Sequence, residues 1–234
     1  MLEDGSVYEG TARGDFKETA CEIVFNTSMT GYVEILTDPS YAGQGVVMTY
    51  PMIGNYGISR EDFESERLQP SAFIVHELSS DPSNFRCTDT IENLLKEYNI
   101  PCISGVDTRA VVKKLRESGT MRGVLTSDIG DRERLMDVIK SFRQIDLVGS
   151  VTAKQTKVYG EENTGAEIAL MDFGTKRNII NNLVKRNCIV TVYPSFTSAD
   201  EIIKTSPDGI MLSNGPGDPS ECVDIILSLI HISE

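Results

Sequence analysis

Apolar residues recur along this chain in two rhythms. Ile91, Leu94, Leu95 and Tyr98 follow the i, i+3, i+4, i+7 spacing of one helical face, and Asp89 with Glu92 has the spacing of a capping box just ahead of them. A second helix is predicted from Asp107 to about Gly119. A third carries Leu135, Val138, Ile139 and Phe142 on one face. Short β-branched or aromatic runs bounded by Gly, Pro, Asp or Asn predict strands at residues 21–25, 45–50 and 71–78. Two more strands, 101–106 and 121–126, fall between the helices. A strand-rich stretch thus leads into an alternating one.

After a polar interval the pattern becomes regular. Residues 168–172 read as a buried strand, 176–187 as a helix with Ile180, Leu183 and Val184 on one face, and 188–193 as a second strand. Ser198 and Glu201 have capping-box spacing at the start of a short helix. Residues 208–213 read as a third strand, and the chain from Glu221 onward as helical. Strands apolar on both faces and joined by helices predict a parallel sheet, the opening half of a doubly wound fold. The interval itself, TAKQTKVYGEENTGAE, has almost no apolar periodicity. It reads as a linker, giving domains at 1–150 and 167–234 with 151–166 between them.

Composition narrows the function classes. With 234 residues, 40% hydrophobic, the chain has material for a sizeable core. Thirty-five acidic against 22 basic residues leave a net charge of −13, which argues against nucleic acid or an anionic membrane as partner. No apolar run approaches the ~18 residues of a membrane span, and residues 1–5 carry neither the basic nor the apolar region of a signal peptide. The five cysteines, Cys21, Cys87, Cys102, Cys188 and Cys222, form no CxxC pair. They read as reduced thiols of a cytoplasmic protein rather than as a zinc site.

Chemistry concentrates in two segments. Asn214-Gly215-Pro216-Gly217-Asp218-Pro219 follows a buried strand and precedes a helix, at the carboxyl edge where open α/β sheets bind ligands. Gly215 and Gly217 let a ligand approach the backbone, whose amides suit a carboxylate or oxyanion. A tight turn without a ligand uses the same residues. NTSMTGYVEILTDPSY (26–41) is rich in hydroxyls, and a hairpin or loop with local side-chain bonds accounts for it equally well. Cys222 and His231 are no nucleophile–base pair: nine residues along one helix separate them by ~13.5 Å. His76 reads as structural, within a strand, and Asp107-Thr108-Arg109 as a helix start. Neither GxGxxG nor GxxxxGK[ST] occurs.

Taken together and in order, these segments resemble the small subunit family of glutamine-hydrolysing carbamoyl-phosphate synthases. The matching stretches are LEDGSVYEG (2–10), EIVFNTSMTGYVEILTDPSYAGQ (22–44), TYPMIGNYG (49–57), SNFR (83–86), GVDTRAV (105–111), DFGTKRNI (172–179) and LSNGPGDPS (212–220). The resemblance implies an N-terminal β/α domain that docks on a large synthetase subunit. It implies, next, the incomplete first half of a class I glutamine amidotransferase domain, flavodoxin-like with a parallel sheet. The family hydrolyses L-glutamine and passes ammonia to the large subunit, which makes carbamoyl phosphate for arginine and pyrimidine synthesis. ATP and metal ions are implied on that subunit, and no cofactor in this chain. Ser40, Gly215 and Gly217 match the family's glutamine contacts.

The family's nucleophile lies in a GxCxGHQ elbow on a following strand, and no such segment occurs in residues 1–234. The resemblance therefore implies no catalytic residue in this sequence. It implies a piece of the subunit, inactive alone, with the first strand beginning ahead of Leu2 and LSLIHISE (227–234) foreign to the family. The other reading is a natural docking module that binds the large subunit without hydrolysing glutamine.

Overall fold

The computed structural model describes residues 1–144 and 146–221. The chain forms two compact units, Met1–Gln144 and Ile145–Glu234. The expected helix from Glu221 onward, and the Cys222 and His231 positions, lie outside the described residues.

The first unit runs β1 (Thr11–Gly14), β2 (Thr19–Asn26), α1 (Tyr32–Thr37), β3 (Gln44–Met48), β4 (Met52–Ile53), β5 (Ala72–Ile74), β6 (Glu77–Leu78), α2 (Ile91–Glu97), β7 (Pro101–Ser104), α3 (Thr108–Ser118), β8 (Met121–Leu125) and α4 (Arg132–Ser141). Six strands make one sheet in the order β1-β7-β5-β3-β2-β8. The four inner strands are parallel, while β1 and β8 run antiparallel at the edges. Alternation along β3 divides the core. Val46 and Met48 pack with Tyr32, Leu36, Phe73, Ile91, Leu94 and Leu95 on one face. Val47 packs with Ile23, Ile74, Val111 and Leu115 on the other.

Several local expectations hold here. Asp107 caps α3 by accepting the Ala110 N–H at 2.9 Å, and Gly119 ends that helix at φ 82°. Others differ. The cap of α2 is Thr90, whose hydroxyl accepts the Asn93 N–H. Asp89 instead accepts from the Thr90 N–H and the Asn93 side chain. The run 71–78 is not one strand: β5 joins the main sheet, β6 pairs with β4, and His76 sits exposed at the bend between them. Its Nδ1 lies 3.0 Å from the Val106 carbonyl oxygen, a structural contact.

The second unit runs α5 (Leu147–Val151), β9 (Lys157–Tyr159), β10 (Glu167–Asp172), α6 (Arg177–Val184), β11 (Ile189–Pro194), α7 (Ala199–Ile203) and β12 (Gly209–Leu212). Its sheet has the order β12-β10-β11-β9, parallel except for β9. Leu170 packs with Ile180 of α6 on one face, and Ala169 and Met171 pack with Ile202 of α7 on the other. Helices on both faces explain why β10 is apolar from Ile168 to Met171. The Ser198–Glu201 capping box is complete. The stretch 151–166 differs from a bare linker. It carries β9, and Asn163 donates to the Val184 and Cys188 carbonyls, so tertiary pairing orders a segment of low apolar content. Among the described residues no helix is long and apolar enough to cross a membrane.

Candidate functional site

Strand order fixes where a ligand crevice falls in the second unit. From β10 the chain crosses to β11 on one side, then returns to place β12 on the other. The carboxyl ends of β10 and β12 therefore flank the topological switch point, the usual ligand position of such sheets. Two loops meet there. One is the turn Phe173–Thr175 after β10, and the other is Ser213–Asp218 after β12.

Asp172, the last residue of β10 and buried, builds the first loop. Its Oδ1 accepts the N–H groups of Gly174 (2.9 Å) and Thr175 (2.7 Å), an Asx turn. Its Oδ2 accepts the Ala153 N–H at 2.7 Å. The second loop is held by the first. The Phe173 N–H donates to Ser213 Oγ at 2.9 Å, and Asn214 Nδ2 donates to the Gly174 carbonyl at 3.1 Å. At its far end Asp218 accepts the Ser220 N–H at 2.8 Å. That bond, then the Ser220 hydroxyl, holds the Asp218 carboxyl below its ordinary range.

Gly215 and Gly217 share this loop, but two different constraints select glycine. A Cβ on Gly215 would fall on the Phe173 carbonyl oxygen. Gly217 has φ 81°, in the left-handed region, and is exposed. At Gly215 the protein's own backbone is thus enough to exclude a side chain. The roles of Asp172, Ser213 and Asn214 were not singled out from sequence. Their signal is an Asp ending a buried strand before Phe-Gly-Thr, an Asx-turn pattern.

Ser40 belongs to the first unit. The segment 26–41 is neither hairpin nor plain loop. It contains α1, whose Tyr32, Val33, Ile35, Leu36 and Thr37 are buried, and then a 3-10 turn at Pro39–Tyr41. Gly31 (φ 83°) starts α1 without a side-chain cap of its own, and Tyr56 Oη accepts the Gly31 and Tyr32 N–H groups at 2.6 and 3.2 Å. Asp38 caps the 3-10 turn, accepting the Ser40 N–H at 2.9 Å. Asn26 Nδ2 donates to Tyr41 Oη at 2.9 Å, tying the turn to the end of β2. Ser40 is half-buried on this frame. A separate cavity of about 430 Å³ in the first unit has mainly aliphatic walls, and Ser40 is not among its lining residues.

A doubly wound parallel sheet with a Gly-Pro-Gly loop at its switch point defines the second unit as amidotransferase-like, and residues 169–233 match the family model "Glutamine amidotransferase class-I". That match runs through most of LSLIHISE, so this segment lies within the matched region rather than outside it. Residues 1–125 match "Carbamoyl-phosphate synthase small chain, CPSase domain". The chain belongs to the carbamoyl-phosphate synthase small chain family. It is 48% identical over 234 residues to the carbamoyl phosphate synthase small chain of Staphylococcus epidermidis (strain ATCC 35984), covering 99% of this chain and 63% of that one. To that of Clostridium perfringens (strain 13) it is 48% identical over 222 residues, covering 94% and 63%. To that of Listeria monocytogenes serotype 4b it is 46% identical over 222 residues, covering 94% and 61%. The chain thus spans about three fifths of the length of these curated relatives.

Proposed function

We propose that this chain contributes the glutamine-binding framework of a glutamine-hydrolysing carbamoyl-phosphate synthase, in which a small subunit releases ammonia from L-glutamine for a large subunit. In this reading Ser40, Gly215 and Gly217 are the glutamine-contacting residues of this chain. The large subunit holds the ATP and metal ions and makes carbamoyl phosphate for arginine and pyrimidine synthesis, in a cytoplasmic heterodimer. The observation that carries the reading is the loop 213–218 at the switch point of a parallel sheet, within a chain that matches the family in both units. Exposed backbone at Gly217 beside a buried Pro216 is suited to close approach by a small polar ligand.

Hydrolysis needs a thiolate and a base within reach of each other. Residues 1–234 hold no GxCxGHQ segment, and Cys21 and Cys102 are buried thiols pushed up to about 12. In this reading these residues bind and dock, and another part of the subunit supplies the nucleophile. The first unit, with a core on both faces of its own sheet, is the docking surface for the large subunit in this reading. The purified 234-residue chain is expected to release no glutamate from glutamine and to bind the large subunit in a calorimetric titration. Glutamate release abolished by Cys222→Ala, or no detectable binding, contradicts the reading.

A further inference from the structure

Asp172 ends β10, and each hydrogen bond found at its carboxylate is accepted from a backbone N–H: Gly174, Thr175 and Ala153. Its own carbonyl accepts the Thr152 hydroxyl at 2.5 Å, and that hydroxyl accepts the Ser195 N–H at 2.8 Å. The chain leaving α5 is therefore latched onto the ends of β10 and β11 through Thr152 and Ala153. Beyond the turn, the Phe173 N–H and the Gly174 carbonyl hold Ser213 and Asn214, and the Phe173 carbonyl lies where a Gly215 Cβ would be. The group that a Gly215 Cβ would meet is backbone, which cannot swing aside as the end of a side chain could, so Phe173 limits what position 215 can hold.

We infer that Asp172 is a positioning residue for the glutamine loop, templating Gly215 through the Phe173–Thr175 turn and joining that loop to the incoming Thr152–Ala153 segment. The inference rests on the proposed glutamine site for its functional consequence, though its structural half stands apart from it. A carboxylate suits this place better than an amide. It offers acceptors on both oxygens, whereas an asparagine would turn an NH2 group toward at least one of these N–H donors. Asp172 acts through the turn rather than on a substrate, so its loss weakens glutamine use without touching the site of ammonia consumption.

The test uses Asp172→Asn and Thr152→Val. The second removes only the latch hydroxyl in a near-isosteric change, so it decides the matter if the first fails to fold. In the 234-residue chain, both variants should shift the Gly215 backbone amide resonance. In a complete small subunit carrying these residues and assembled with its large subunit, both should raise the glutamine KM, Asp172→Asn by about tenfold or more, with a smaller change in kcat. The ratio of glutamine-dependent to ammonia-dependent synthesis should fall. An unshifted Gly215 amide, an unchanged KM beside a Gly217→Ala control that does raise it, or parallel loss of both activities overturns the inference. If Gly217→Ala also leaves KM unchanged, the glutamine-site reading is what fails, and the Gly215 amide still decides the positioning claim.

Discussion

A Cβ placed on Gly215 would clash with the Phe173 carbonyl oxygen, so the position accepts a side chain only if one of the two loops moves. Phe173 lies after β10 and Gly215 after β12, so one glycine sets the distance between the two loops of the switch point. Gly215→Val must displace either the Phe173–Thr175 turn or its own loop. We expect it to destabilise the second unit by about 1–3 kcal/mol, the usual cost of forcing atoms into a packed site. Hydrogen exchange at the Gly174 and Thr175 amides, whose protons Asp172 accepts, should quicken most. Native-like protection at both amides would show that the loops are not coupled.

A pH dependence is built into the first unit. Arg134 donates two bonds to the Glu18 carboxylate, at 2.7 and 2.8 Å, and Thr126 adds a third at 2.9 Å. The Arg134 guanidinium first, and then the Thr126 hydroxyl, lower the Glu18 carboxyl from 4.5 to about 2. A group with a depressed folded-state pKa contributes stability above its unfolded value and loses it as pH falls toward the folded one. The stability difference between wild type and Glu18→Gln should therefore be largest above pH 4.5 and shrink toward pH 2. Because the pair is exposed, added salt should reduce it. A difference that stays constant over this range would mean that the carboxylate is not what Arg134 recognises.

Thiol reactivity separates the cysteines by burial. Desolvation pushes Cys21 and Cys102 up to about 12, leaving roughly one part in 10⁴ as thiolate at pH 8. Cys87 and Cys188 are only half-buried. Iodoacetamide applied to the native chain should label Cys87 and Cys188 and spare Cys21 and Cys102 until the protein unfolds. Early labelling of Cys21, which is fully buried within β2, would show that the six-stranded sheet opens locally.

Legibility followed the range of the forces involved. The Ser198–Glu201 box and the Asp107 cap were readable because partner and cap lie three residues apart. The parallel sheet of the second unit was readable because both faces of β10 are apolar. The helix α1 was not. Tyr-Val-Glu-Ile-Leu-Thr is rich in β-branched residues, and its helical state depends on burial against the sheet and on a cap from Tyr56, about 25 residues away in sequence. The α2 cap was displaced by one residue because Asp89 bonds both to the cap residue and to the first turn. At the candidate site the Gly-Pro-Gly loop was visible as turn chemistry. The reason for Gly215 was not, since Phe173 and Asp172 lie about 40 residues upstream and meet it only when β10 and β12 pair.

On the proposed function, Ser40, Gly215 and Gly217 serve glutamine and not the later steps of carbamoyl phosphate synthesis. Ser40→Ala tests it most directly, because it removes one hydroxyl from a turn already fixed by Asp38 and by the Asn26–Tyr41 bond. The measurement is the rate of carbamoyl phosphate formation by the assembled two-subunit enzyme with glutamine, divided by its rate with free ammonia. Ser40→Ala should lower this ratio by about tenfold at limiting glutamine, the effect of losing one hydrogen bond to a charged ligand group. A ratio equal to that of wild type would contradict it.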